Sequence, residues 1–220
     1  MSQIDGIVFD IETGPMPEEI LTRQMPRFSA PGNWKDEDKI AAKIEEQERK
    51  WFDKAALSAQ TGQVLAVGLA NKGGVDIWDV NQYTEREIIG AFWDAISEAG
   101  PTKRWIGFNI KGFDLPFLIR RSFFYGITPS ASPRLGRFWD ERFIDLMELW
   151  QCGNREQTIS LSALSVFLGG EPKAESGADF HHWIKEDPAR AQTYLIKDLA
   201  ITAEAAARML PFITPPEVAA

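Results

Sequence analysis

The stretch "GIVFDIETG", residues 6 to 14, is mostly apolar until it meets Asp10 and Glu12. Side chains alternate along a strand, so these two acids share one face, about 7 Å apart at the backbone. Val8 shares that face, and Ile7, Phe9 and Ile11 share the other. Two carboxylates at the end of a core strand offer hard oxygen ligands for a divalent cation. A solvated or capping pair at a strand end is the plain alternative. In "GFNIKGFDLPFL", residues 107 to 118, Asp114 follows Asn109 and Gly112 in a loop at a strand end. Sites of α/β proteins lie at such ends, although an Asp there also serves as a helix cap, stabilising by about 1 kcal/mol. In "YLIKD", Tyr194 and Asp198 are four apart on one helix face, with about 6 Å between β-carbons. A core tyrosine beside a surface acid fits that spacing equally.

These residues need elements to hold them. Residues 4 to 11 read as a strand, with Asp10 and Glu12 at its end. Prolines break the segment from Thr13 to Trp34, which reads as irregular. Residues 35 to 57 are highly charged, with Ile40, Ile44 and Trp51 at helical spacing, as in a solvated helix. Two apolar runs, residues 63 to 70 and 75 to 80, flank "NKGG" and predict a hairpin. Residues 85 to 100 predict a helix stopped at Gly100-Pro101. "KRWIGFN" predicts a strand, "LPFLIRRSFFYG" a helix, "ERFIDL" a short strand and "SLSALSVFLGG" a helix stopped by glycines. The last long helix starts at Asp187 and Pro188, a cap and a first-turn residue. The order predicts an α/β fold, a mixed central sheet flanked by helices. It reads as one domain over residues 1 to 220, with a partly helical insertion at about 15 to 60.

Composition narrows the class. The chain has 220 residues, one cysteine and no apolar run long enough to span a membrane. One cysteine excludes an intrachain disulfide and a zinc site built on cysteine pairs. With no basic, apolar leader at the start, the expectation is a cytoplasmic protein without a membrane partner. The net charge is −8, so a nucleic acid would not be held by global charge. Bound cations would have to reverse the sign locally.

"FDIET", "NIKGFD" and "YLIKD", in that order, resemble the three motifs of the DEDD 3′–5′ exonucleases, which share the ribonuclease H-like fold. Tyrosine four residues before the last Asp resembles the tyrosine subtype; the histidine subtype would want His at position 193, which is Thr193. "LSAQTGQVLAVGLA" and "ISLSALSVFLGGEPK" resemble stand-alone relatives of the proofreading domain of family-B DNA polymerases. The resemblance implies that Asp10, Glu12, Asp114 and Asp198 hold two divalent cations, Mg²⁺ or Mn²⁺, with Tyr194 positioning the attacking water. Four carboxylates at about 5 Å repel by roughly 3 kcal/mol per pair at an effective dielectric near 20. Such a cluster must bind cations or protons. The implied substrate is the 3′ end of single-stranded DNA or RNA, DNA favoured, cut to nucleoside 5′-monophosphates. A polymerase or a replication or repair protein is the implied partner.

Softer expectations attach to neighbours. Thr13, Asn109 and Phe113 are candidate substrate contacts; a strand-end Thr, a loop bridge and a core ring are their plain alternatives. Lys111, Arg120 and Arg121 offer phosphate contacts, against a solvated helix face. Asp145 reads as a cap for the helix after it, or as support for the site. His181 and His182, adjacent on a helix, should point apart and hold no metal. Two rival functions remain. "FDIET" superficially resembles the D-x-D-x-T start of aspartate-nucleophile phosphatases, but Glu12 stands where those have Asp, and the other two motifs are left without roles. A catalytically silent nuclease fold, kept as a nucleic-acid-binding or scaffold module, is the other.

Overall fold

A computed structural model describes residues 5–131 and 141–213; Ile4, where the first strand is expected to begin, lies outside them. Strands β1 (Ile7–Pro15), β2 (Gly62–Asn71), β3 (Gly74–Asp79), β4 (Trp105–Gly107) and β5 (Phe143–Asp145) form one sheet in the order β3-β2-β1-β4-β5. β1 and β4 pair parallel, as do β4 and β5, while β2 and β3 pair antiparallel, so the sheet is mixed. The hairpin register ends at Asn71 and Gly74, leaving Lys72 and Gly73 as the turn. The helices are α1 (Glu18–Gln24), α2 (Glu37–Lys54), α3 (Glu85–Ala99), α4 (Asp114–Tyr125), α5 (Leu146–Gln151), α6 (Leu161–Phe167), α7 (Phe180–Glu186) and α8 (Pro188–Met209). None is long and apolar enough to cross a membrane.

Two compact units divide the chain: one runs up to Glu12 and resumes at Val64, the other is Thr13–Gln63. In the first, the two faces of β1 meet different partners. The Phe9 ring lies 5.2 Å from Phe92 of α3 and 6.1 Å from Trp105 of β4. Val8, on the opposite face, joins an apolar cluster with Ile106 and with Leu195 and Leu199 of α8. The acids that share Val8's face are therefore turned toward α8. Local chemistry sets the helix ends. Thr84 and Glu87 form a reciprocal capping box at the start of α3, and Gly100, at φ 82°, ends it. Asp187 accepts from the Arg190 amide and Pro188 opens α8.

In the second unit, Met16, Leu21 and Ala55 form a small core against Trp51 and Phe52. α2 buries no residue completely, in keeping with its charge. The segment expected to be irregular contains α1, because Leu21 has this core to enter. β1 runs past Glu12 to Pro15, where the Gln63 side chain donates to the Pro15 carbonyl at 3.1 Å and the Met16 amide donates to Thr61. Asp10 and Glu12 thus lie within the strand and not at its end.

Two further expectations are corrected. Arg120 is exposed, but Arg121 is buried at 3% exposure in a two-bond pair with Glu85, at 2.8 and 2.7 Å. Its fork matches a carboxylate, which lets a guanidinium enter the core. The rings of His181 and His182 do not diverge; their centroids are 4.0 Å apart, with His181 Nδ1 drawn back to 3.1 Å from the Ala178 carbonyl.

Candidate active site

Carboxylate oxygens of Asp10, Glu12 and Asp198 lie within 4.8 Å of one another. β1 supplies the first two and α8 the third, all within the larger unit. The buried stripe of α8 runs Ala191, Tyr194, Leu195, Asp198, Leu199, Thr202. Tyr194 and Asp198 thus occupy positions that helical periodicity gives to core residues. Asp198 is 5% exposed and is not the surface acid that its spacing allowed.

Asp114 reaches β1 by another route. β1 pairs with β4 at Ile7 and Val8, so the Ile11 amide lies beyond those pairs. Asp114 Oδ1 accepts it at 3.2 Å, in a buried bond. The carboxylate therefore serves β1, and α4 has no side-chain cap. The loop before it is pinned by Asp145, whose oxygens accept from the Asn109 amide at 2.8 Å and the Lys111 amide at 2.9 Å. Asp145 also caps α5 through the Met147 amide. Asn109, at φ 60°, turns the chain in the left-handed region, which Asn tolerates better than most residues.

Asn109 is exposed, and Phe113 is half-buried with its ring 5.5 Å from Phe117. Thr13 donates its hydroxyl to the Ala56 carbonyl at 2.7 Å, inside the smaller unit. Lys111 pairs with Glu148 at 2.6 Å.

One residue to which the sequence reading gives no role sits at the cluster. Lys173 pairs with Asp198, donates to the Tyr194 hydroxyl at 2.8 Å, and lies 4.8 Å from that ring's centroid. Its signal is faint: a single lysine after "GGEP", in a loop 25 residues from Asp198.

The charges are strongly perturbed. Burial first, then the Asp198 charge, push the Asp10 carboxyl up to about 7, while Lys173 and the Ile11 amide oppose them. Burial, then Asp10 and Asp198, raise Glu12 well above the usual range. Burial, then Asp10, do the same to Asp114. Burial raises Asp198 too, against the Lys173 hydrogen bond. Burial, then Glu12, raise the Tyr194 phenol, which stays neutral at physiological pH. Its hydroxyl and the Asp198 carboxylate share the Lys173 ammonium as donor.

The donor set is carboxylate oxygen throughout, which suits hard divalent cations such as Mg²⁺ or Mn²⁺. At these separations each pair repels by about 3 kcal/mol or more at an effective dielectric near 20. The residues therefore fit such cations in charge, in ligand type and in proximity. Outward along α8, Lys173, Tyr194, Lys197, Asp198, Ile201 and Arg208 line part of a cavity of about 490 Å³.

No curated protein matches the chain. The fold is similar to that of the family B DNA polymerase from the hyperthermophilic archaeon Pyrobaculum calidifontis, with a TM-score of 0.61 and 17% identity. That likeness covers 94% of this chain and 24% of the polymerase chain, so this chain spans about a quarter of the polymerase's length. The α/β architecture is that of a polymerase exonuclease domain, a ribonuclease H-like fold. A family described as a predicted 3′-5′ exonuclease related to the exonuclease domain of PolB matches residues 57–179, a stretch that includes Asp114 and Lys173. With more than half of its length so matched, the chain belongs to this family of predicted 3′–5′ exonucleases.

Proposed function

We propose that the chain is a metal-dependent 3′–5′ exonuclease of the tyrosine subtype, acting on single-stranded nucleic acid, DNA favoured. The carrying observation is the gathering of Asp10, Glu12 and Asp198 within 4.8 Å, with Asp114 on the Ile11 amide between the first two. In this reading Asp10, Glu12, Asp114 and Asp198 hold two divalent ions, Mg²⁺ or Mn²⁺. When bound, the ions supply Lewis acidity at the phosphate and lower the pKa of the attacking water.

The chain's own groups do the orienting. Tyr194 stays a neutral phenol and receives a hydrogen bond from Lys173. A remaining lone pair on its oxygen accepts a hydrogen bond from the attacking water. With its pKa raised, the phenol orients and does not act as the base. Glu12 takes the proton the water gives up. The water oxygen bonds to phosphorus, the bond from phosphorus to the penultimate 3′ oxygen breaks, and that oxygen takes a proton from solvent. The product is a nucleoside 5′-monophosphate. Thr13, Asn109 and Phe113 are proposed strand contacts, and Thr13–Gln63 is proposed as an insertion in the nuclease domain.

Digestion of single-stranded DNA and RNA, labelled at either end, tests the reading. A ladder from the 3′ end with Mg²⁺ or Mn²⁺, abolished by chelator and by Asp10→Ala, is the expected result. Internal fragments would overturn the polarity. Binding of the strand without cleavage would favour the silent module.

A further inference from the structure

We infer that the exposed face of α4 is a stacking platform for single-stranded nucleic acid, with Phe123 and Phe124 as its rings and Arg120 as its phosphate contact. The inference rests on the nucleic-acid reading above and carries its strand contacts outward from Phe113. Phe113 and Pro116 are half-buried, and Arg120, Phe123 and Phe124 are exposed. Steps of three and four residues keep these five on one face of the helix. The face starts beside the cluster acid Asp114 and ends at Phe124, about 15 Å along the axis at 1.5 Å per residue. A stacked strand repeats about every 3.4 Å, so that length spans about four nucleotides.

Single exposed apolar side chains need no explanation. Phe123 and Phe124, 71% and 67% exposed, are adjacent and in line with a third ring, Phe113. The Phe124 ring is also braced. The Arg121 guanidinium lies 4.5 Å from its centroid, and Glu85 fixes that guanidinium through two bonds. The Tyr125 ring meets it edge-on, with centroids 4.9 Å apart. A ring held from within and open outward loses little freedom when a base stacks on it. Charge favours a polyanion here over an apolar protein surface. Residues 111 to 128 hold Lys111, Arg120 and Arg121 against the single acid Asp114, in a chain of net charge −8. Arg120 forms no ion pair among the described residues, so its guanidinium is available to a phosphate. Rings interleaved with a cation hold single strands without reading their sequence.

Binding of a dye-labelled strand of about 12 thymidines, followed by anisotropy in chelator, tests this. Phe123→Ala and Phe124→Ala should each weaken it by about 5- to 150-fold. Phe124→Trp, which keeps a π-face, should bind as wild type does, and thermal stability should hold throughout. Arg120→Ala should flatten the slope of log Kd against log salt by about 0.7, the effect of one phosphate contact. Digestion of a dinucleotide, too short to reach the rings, should be as fast in the Phe variants as in the wild type. Equal affinity of wild type and Phe variants for the long strand overturns the inference. So does an equal loss on the dinucleotide. Variants that keep the strand but lose self-association in sedimentation would make the face a protein contact, and the inference would fall. A wild type that binds through these rings but cuts no strand defeats the nuclease reading alone.

Discussion

Lys173 and Asp198 form an ion pair beside the acid cluster, their side chains 18% and 7% exposed. The ammonium lowers the carboxyl pKa values of Asp10, Glu12 and Asp198, against burial and mutual repulsion. It is a positive charge that the chain itself contributes to a site crowded with negative ones.

Lys173→Met keeps the length of the side chain and removes this charge. The acids then hold their protons to higher pH, so the acidic limb of the kcat/KM profile should move upward. A hydrogen bond to a charged group contributes about 1.5–3 kcal/mol, so turnover at neutral pH should fall by about 10- to 100-fold. A profile that overlays the wild type's would refute this role for Lys173.

Tyr194→Phe keeps the ring against Trp183 and removes the hydroxyl. Turnover should fall by about 10²-fold with KM unchanged, the range for loss of a group that handles the attacking water. Because the phenol stays neutral, raising the pH should not rescue the variant. Activity that returns at high pH would mean that hydroxide replaces a base, and the orienting role would fail.

Without divalent ions the protein should lose stability as pH rises from about 4 to about 7. The Asp10 carboxyl is raised from 3.8 to about 7 in the folded state. The native state therefore binds more protons than the unfolded chain in that window. The associated stability is present below the unfolded pKa and is lost through the folded one. Three pKa units correspond to on the order of 4 kcal/mol. Mn²⁺ binds the deprotonated acids and should restore the loss at pH 8. Urea midpoints at pH 5 and pH 8, in chelator and in Mn²⁺, measure both effects. Equal midpoints in chelator would count against a desolvated cluster.

Asp145→Ala strips the acceptor from the Asn109, Lys111 and Met147 amides. Amides left without partners cost about 1–3 kcal/mol, which should appear as a lower urea midpoint. The loop they fix leads straight to Asp114, so activity should fall more than stability accounts for under conditions where the variant is folded. Asp145→Asn, which keeps one oxygen acceptor, should lie between the two.

Much of this was legible from residues alone. Strand alternation put Asp10 and Glu12 on Val8's face, and the structure keeps all three toward α8. The capping residues Asp187 and Pro188 fixed the start of α8. The length of β1 beyond Glu12 was not legible, because its last residues are held by Thr61 and Gln63 from a distant segment. The burial of Arg121 depended on Glu85, 36 residues away.

Residue order determined most of the elements, the caps of α3 and α8 and which side chains share a face, because backbone sterics and hydrogen bonding act over a few residues. Tertiary structure alone decided that Asp198 reaches the β1 acids, that Lys173 answers their charge, and that Asp114 binds the Ile11 amide 103 residues away. The reason is physical: a carboxylate's repulsion, its loss of water and its counter-charge depend on distance and burial, and packing α8 and the loops against the sheet sets both.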